Sequence, residues 1–224
     1  MTEFFNVLPP SEALAMLLQR LEATIVSDLV PTIDALGRVT VQDVASTEDL
    51  PAFPRSTMDG YSVRSADTFG ASESIPAYLE IVGEVPMGRP PELQLSVGQV
   101  AGAYTGGMLA NGADAVAMVE HTQTVDESTI EVLRPVASGE NVVQVGEDIR
   151  VGDTVIRKGR NVRPEDIGGL LALGITEVEV ARRPRVAIVS TGDELVPPNF
   201  SPGPGQVRDI NTYTISALVE QSGG

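Results

Sequence analysis

Four short segments of this 224-residue chain contain more Gly, Asp, Glu and Thr than packing alone requires. They are residues 58–61 (Met-Asp-Gly-Tyr), 104–107 (Tyr-Thr-Gly-Gly), 146–148 (Gly-Glu-Asp) and 190–195 (Ser-Thr-Gly-Asp-Glu-Leu). Carboxylates of this kind bind hard cations or ligands rich in hydrogen-bond donors. Adjacent glycines allow backbone amides to approach an anion closely. No single segment identifies a reaction.

The first three segments each have a plain structural alternative beside the functional one. Asp59 in its Asp-Gly turn could present a carboxylate to a metal or a donor-rich ligand, or it could be a solvated turn residue. Thr105, Gly106 and Gly107 could form an anion-binding loop or a simple hairpin loop. Asp148, in a Gly-flanked acidic pair, could ligate Mg²⁺ or occupy a charged turn.

The fourth segment follows a continuous apolar run, Arg185–Ser190, which is typical of a parallel strand buried on both faces. Ligands bind beyond the carboxyl ends of such strands in open α/β sheets. The position therefore favours ligand binding by Thr191, Gly192, Asp193 and Glu194. His121, the single histidine, is more typical of a loop or edge, so a Ser-His-Asp nucleophile set is not expected.

Hydrophobic periodicity and turn residues predict a mixed α/β fold with several lobes. A helix is expected from Ser11 to about Ser27, and another from Pro164, followed by a strand at 177–180. Short strands between residues 46 and 143 predict a small β-barrel or sandwich. A helix at 212–222 and the strand before it resemble the start of a doubly wound α/β domain, and we expect the chain to be part of a longer protein.

These patterns predict three regions. Residues 1–45 with 144–181 form a small, discontinuous α+β linker lobe, and residues 46–143 form a β-rich domain inserted into it. Residues 182–224 begin a truncated α/β domain. We expect residues 29–45 to contact residues 150–180.

Composition limits the function further. The formal net charge of −16 disfavours diffuse binding to nucleic acid or to an anionic membrane. Residues 150–185 are an exception, because their eight basic and five acidic residues leave that stretch at +3. A hydrophobic fraction of 42% is typical of a globular protein, and Cys is absent. No membrane span or signal peptide is recognisable, so a cytoplasmic location is expected.

Taken in order, the segments resemble the MoeA family, the molybdopterin molybdenumtransferases, which are related to the E domain of gephyrin. The resemblance extends from about Ser11 to the C-terminus, and a full family member is nearly twice as long. It rests on the runs PAFPRSTMDGYSVR, AYTGG, GADAVAMVE, VGEDI, GDTVIRKG, PEDIGGLLALGI, RPRVAIVSTGDEL and GQVRDIN.

The resemblance implies an elongated homodimer that inserts molybdate into adenylylated molybdopterin and uses Mg²⁺ or Zn²⁺ to release AMP. The active site would lie between subunits, and a molybdopterin adenylyltransferase would supply the substrate. By position, Asp59, Asp148 and Glu194 match catalytic residues, with Asp59 and Asp148 as metal ligands. Thr105–Gly107 and Thr191–Asp193 match substrate-binding segments.

One departure leaves an alternative open. Family members usually carry Arg before Gly-Glu-Asp, where this chain has Val142–Val145. Arg150 could substitute for them in binding an oxyanion. Otherwise the chain could be a non-catalytic scaffold on the same fold, or a stand-alone pterin- or nucleotide-binding module. The retained acidic residues favour the enzyme.

Overall fold

The computed structural model describes residues 8–21 and 24–224. Within them the helices are α1 (Pro10–Arg20), α2 (Pro164–Ala172) and α3 (Asn211–Gln221). The strands are β1 (Ser27–Pro31), β2 (Val44–Ala45), β3 (Arg55–Ser56), β4 (Gly60–Val63), β5 (Ala77–Glu84), β6 (Gln99–Ala103), β7 (Ala115–Met118), β8 (Thr122–Thr124), β9 (Thr129–Val132), β10 (Val142–Val143), β11 (Thr154–Ile156), β12 (Glu177–Ala181), β13 (Leu195–Val196) and β14 (Val207–Arg208). The mixed α/β class is therefore confirmed.

The chain divides into two compact units. Unit 1 comprises residues 1–44 and 156–224, and unit 2 comprises residues 45–155. The middle of the chain is thus an insertion into unit 1, whose two parts are far apart in sequence. The three-part division into 1–45 with 144–181, 46–143 and 182–224 stays a prediction.

Unit 2 is built on one six-stranded mixed sheet with the strand order β7-β4-β6-β5-β9-β8. Strand β9 alternates between buried and more exposed positions, whereas consecutive residues of β6 are buried, with Val100 in one core cluster and Ala101 in another. The largest of these clusters includes Val63, Leu79, Val100, Ile130 and Val132, all at most 3% exposed. The short strands predicted from the sequence therefore join into a single sheet.

Three inner strands have termini that lie side by side at one end of this sheet. Strand β4 runs antiparallel to β6, and Gly60 pairs with Ala103. Strand β5 runs parallel to β6, and Glu84 pairs with Gly102. The start of β4 and the ends of β5 and β6 consequently lie side by side, and residues just outside these strands are brought together there.

Unit 1 is centred on an antiparallel pair of β1 and β12, in register from Ser27 opposite Ala181 to Pro31 opposite Glu177. Its core contains Ala35, Val162, Val178 and Val180. The predicted helix at Pro164 and the following strand are confirmed. The expected contact between residues 29–45 and 150–180 is also present, because β1 pairs with β12.

The prediction for the first helix is wrong at its C-terminal end. Helix α1 ends at Arg20 because Leu21 is already extended (φ −81°, ψ 101°), and Ser27 begins β1 opposite Ala181. Residues 22–23 lie outside the described residues. None of the described helices is long and apolar enough to cross a membrane.

The expected strand Arg185–Ser190 is also wrong for this structure, although the helix after it is confirmed as α3. Val186 and Val189 are 53% and 81% exposed, and residues 182–192 belong to no helix or strand. A parallel strand needs neighbours that share its hydrogen bonds. In the described part of the chain no strand pairs with this segment, and the short parallel pair β13–β14 follows it instead.

Candidate functional site

Asp59 lies at this end of the sheet and is held by two hydrogen bonds to one of its oxygens. The amide N–H and the hydroxyl of Thr105 both donate to Asp59 Oδ1, each at 2.8 Å. Asp59 immediately precedes β4 and Thr105 follows β6, so the strand pairing brings the first two motifs into contact. The Thr105 amide, and then its hydroxyl, hold the pKa of Asp59 below its ordinary value. Asp59 is thus a fixed, ionised carboxylate. The junction that holds it, residues 59–60 and 104–107, is called the corner below.

The glycine after Asp59 is required by packing between strands. A Cβ atom at Gly60 would lie 2.0 Å from the carbonyl oxygen of Ala117 on β7. The Val119 amide also donates to the Asp59 carbonyl at 3.1 Å, which ties the main chain of the corner to the end of β7. The Asp-Gly dipeptide therefore allows a close approach of strands as well as a turn.

The Thr-Gly-Gly loop uses its amides internally. Gly106 donates to the Ser56 carbonyl at 2.7 Å, and Gly107 donates to the Tyr104 carbonyl at 2.8 Å. With the Thr105 amide on Asp59, all three N–H groups have acceptors within the chain. The loop consequently forms a frame around Asp59 and offers no free amide nest to an anion in this conformation.

A pocket of about 540 Å³ opens beside the corner and is lined by Asp59, Tyr61, Glu84 and Tyr104 among others. The hydroxyl of Tyr104 donates to Glu84 Oε2. The pKa of Tyr104 is raised by this hydrogen bond, by the charge of Glu84 and, more weakly, by that of Asp59. Two consecutive residues after β6 are thus each held by an acidic side chain from a neighbouring strand end.

Asp148 makes an ion pair with Arg55, 3.4 Å from Asp148 Oδ2 to Arg55 Nη2. Arg55 belongs to the run that contains the first motif, so the pair joins the first and third motifs. Gly146 has a φ of 66°, and a Cβ there would lie 3.2 Å from Asp49 Oδ1. Arg150 Nε donates to the Gly146 carbonyl at 3.4 Å. Arg55, and not Arg150, is therefore the cation that pairs with Asp148.

The fourth motif lies in unit 1, whereas the other three lie in unit 2. Its residues Thr191–Glu194 are exposed and precede β13. The Glu194 carboxylate lies over Gly192, where a Cβ would be 2.6 Å from Oε1. Gly192 has a φ of 147°, so the motif requires glycine for both space and backbone conformation.

Asp209 is a residue that the sequence reasoning missed in this region. Its carboxylate accepts hydrogen bonds from the Thr212 hydroxyl at 2.6 Å, the Thr212 amide at 3.1 Å and the Ser190 hydroxyl at 3.1 Å. The Thr212 hydroxyl, and then its amide, lower the pKa of Asp209. The signal was an Asp shortly before a helix, which is typical of a residue that holds the first turn. Its hydrogen bonds to Ser190 and Thr212 connect the fourth motif to α3.

Arg55 and Glu84 were also missed as site residues. Arg55 stood within the quoted first run, yet its partner Asp148 is 93 residues away and no local spacing links them. Glu84 is recognisable only once the strand order places the end of β5 beside β6.

The acidic residues do not assemble a metal centre by themselves. Among residues 8–21 and 24–224, no group of three or more His, Cys, Asp or Glu side chains is placed to hold a metal ion. Asp59 directs both Thr105 contacts to Oδ1, and Asp148 is paired with Arg55. A Mg²⁺ ion held by one or two carboxylates, water and substrate oxygens would still fit this donor set.

The family model of the MoeA N-terminal region (domain I and II) matches residues 8–174 of this chain. The chain belongs to the MoeA family. The matched MoeA region contains the first three motifs, and relatives extend the similarity over the fourth.

The named relatives of this MoeA chain are transferases. A molybdopterin molybdenumtransferase of Nostoc sp. is 36% identical over 213 residues, covering 90% of this chain and 49% of the relative. The Bacillus subtilis molybdopterin molybdenumtransferase is 34% identical, covering 85% and 45%. The crystal structure of the molybdopterin biosynthesis MoeA protein from Pyrococcus horikoshii OT3 matches with a TM-score of 0.89 and 37% identity, covering 97% of this chain and 58% of that chain. The chain spans about half the length of the curated relatives it matches.

Proposed function

We propose that this chain forms the N-terminal half of a molybdopterin molybdenumtransferase. The reaction is the insertion of molybdate into adenylylated molybdopterin, with Mg²⁺-dependent release of AMP. Membership of the MoeA family and the molybdenumtransferase relatives support a role in molybdenum cofactor biosynthesis. The observation that carries the proposal is the Asp59 carboxylate, which Thr105 fixes and keeps ionised beside an open pocket.

In this proposal Oδ2 of Asp59 binds the ligand, because both Thr105 donors contact Oδ1. A fixed carboxylate needs little reorganisation when it binds a cation or a substrate donor. Thr105 holds it in place, and the loop of Thr105, Gly106 and Gly107 is proposed to bind substrate. Asp148 is the second acidic catalytic residue of this unit, and Arg55 keeps its charge compensated.

The remaining proposed residues lie in unit 1. Glu194 is the third catalytic carboxylate, and Thr191, Gly192 and Asp193 bind substrate. Their exposure in this chain leaves them accessible to a ligand. The Glu194 carboxylate lies close to the Gly192 backbone, and this supports a role for the segment beyond that of a connecting loop.

Mg²⁺, or Zn²⁺ in its place, would be held by Asp59 and Asp148. Such an ion, when bound, neutralises the negative charge of phosphate oxygens and so favours loss of the adenylate. Thr105 would hold Asp59 in position for this contact.

The assembly is part of the same proposal. We expect a cytoplasmic homodimer that receives its substrate from a molybdopterin adenylyltransferase. The support is membership of the MoeA family, together with a net charge of −16 that disfavours nucleic acid and anionic membranes.

The second candidate is a non-catalytic scaffold on the same fold. The absence of Arg from Val142–Val145 favours it, since guanidinium groups there would bind an oxyanion. Arg55 beside Asp148 weakens that argument, because it supplies a cation at the same place by another route.

A complementation experiment separates the two candidates. A bacterial strain that lacks its own molybdopterin molybdenumtransferase would be given the full-length protein, and the activity of a molybdenum-dependent enzyme would be measured. The transferase restores that activity. A scaffold that is expressed and folded leaves the strain inactive.

A further inference from the structure

The pocket beside Asp59 has a composition that selects among the parts of a substrate. Tyr61 and Tyr104 contribute aromatic rings, while Ile81 and Val119 contribute apolar surface. Asp59 and Glu84 contribute the charged groups. Of the described residues that line the pocket, none is Lys, Arg or His.

The protein side chains of this pocket disfavour oxyanions. Phosphate and molybdate are negative and would meet two carboxylates, so they would approach only where a metal ion such as the one proposed at Asp59 compensates the charge. A planar, uncharged ring with N–H groups on its edge fits instead, because the tyrosines and aliphatic side chains accept its faces and a carboxylate accepts its donors.

Glu84 has more free acceptor capacity than Asp59. Tyr104 occupies only Glu84 Oε2, and an ionised carboxylate has about four lone-pair sites. Glu84 Oε1 accepts no hydrogen bond from the described residues. Gly102 allows Glu84 to lie close to β6, since a Cβ there would be 3.1 Å from the Glu84 Cβ.

We propose that this pocket binds the pterin ring of the substrate and that Glu84 accepts hydrogen bonds from the 2-amino and N3–H groups of the ring. The inference rests on the proposed function for the identity of the substrate. Two parallel donors match one carboxylate in the bidentate manner. Adenine fits poorly, because its corresponding edge offers one donor and one acceptor. The adenylate and molybdate portions of the substrate would then either lie outside the pocket or contact the metal ion proposed at Asp59.

The test is a titration of the 224-residue chain with 6-hydroxymethylpterin, followed by the fluorescence of the pterin. The chain contains no Trp, so protein fluorescence interferes little. Lumazine, which carries oxygen in place of the 2-amino group, and adenosine serve as ligand controls. We expect the pterin to bind at least about 10-fold more tightly than either, since a charge-assisted hydrogen bond is worth about this factor.

The sheet offers a matched control for the protein variants. Tyr78 lies opposite Glu131 on the neighbouring strand, away from the pocket lining, and Glu131 raises the pKa of Tyr78 as Glu84 raises that of Tyr104. Glu84→Gln should weaken pterin binding about 10-fold or more, whereas Glu131→Gln should leave it unchanged. Tyr104→Phe should retain binding within about threefold, because it keeps the ring and removes one competitor for Glu84.

Several results would overturn the assignment. They are equal affinity for pterin and lumazine, equal affinity of wild type and a folded Glu84→Gln variant, or no saturable pterin binding. If these occur while the full-length protein inserts molybdenum, the pocket assignment fails and the proposed function stands. If the pterin binds through Glu84 but insertion is absent, the proposed function fails instead.

Discussion

Replacing Asp59 with Asn in the full-length protein should impair molybdenum insertion while leaving the fold intact. The change keeps the shape of the side chain and its acceptor oxygen for Thr105, but it removes the charge. If the charge binds a cation or a substrate donor, activity should fall about 10- to 150-fold, the range for loss of one charge-assisted hydrogen bond. The thermal midpoint should change by about 2 °C or less, as for most surface substitutions.

Asp126 provides a control with almost the same local bonding. Its Oδ1 accepts hydrogen bonds from the Ser128 amide at 2.8 Å and hydroxyl at 3.0 Å, and these donors likewise lower its pKa. Asp126→Asn therefore removes an equivalent charge without touching the corner. Insertion would be assayed as molybdenum bound to pterin product, with AMP release measured in parallel.

The comparison of the two variants decides the role of the corner. Asp126→Asn should keep wild-type activity. The reasoning is refuted if Asp59→Asn also keeps it, or if both variants lose activity together with several degrees of thermal midpoint.

Three further predictions concern the same molecule. Thr105→Val removes one of the two donors to Asp59 and should raise the pKa of that carboxyl toward its ordinary value, which NMR titration would detect; an unchanged pKa would contradict it. Gly60→Ala should destabilise unit 2 by about 1–3 kcal/mol in urea unfolding, since its Cβ overlaps a backbone oxygen; unchanged stability would contradict the strand packing. Partial burial raises the pKa of Asp114, but hydrogen bonds from the Ser65 amide and hydroxyl outweigh this effect and lower the pKa. The ionised Asp114 carboxylate therefore stabilises the fold at pH values above its unfolded pKa. This contribution is lost as pH falls through the folded pKa. Asp114→Asn should flatten this acid limb of the stability curve, and an unchanged limb would show that the contribution is absent.

The elements that local patterns predict best are those whose signals lie within a few residues. Helix α2 begins with Pro164 followed by acidic residues, and it ends shortly before Gly174, as expected from capping and dipole effects. The segment Arg185–Ser190 shows the limit of such patterns. Its apolar run is typical of a buried strand, yet a strand exists only through hydrogen bonds to neighbours, and the described residues provide none.

The site residues likewise divide into those that local motifs predict and those that depend on long-range pairing. Asp59 and Thr105 were recognised as candidates from their motifs, and the structure brings them into contact through the pairing of β4 with β6. The internal use of the Gly106 and Gly107 amides was not foreseen, because their acceptors are set by the loop conformation. Arg55 and Glu84 depend on long-range pairing, which a single sequence does not reveal.

The central claim is that this chain supplies a working part of a molybdenumtransferase site. It is tested most directly by incubating the purified full-length protein with adenylylated molybdopterin, molybdate and Mg²⁺, and measuring molybdenum bound to the pterin product. The account predicts molybdenum-containing pterin formed in step with AMP, and far less of both from Asp59→Asn. Bound substrate without either product, in wild type and variant alike, would contradict it.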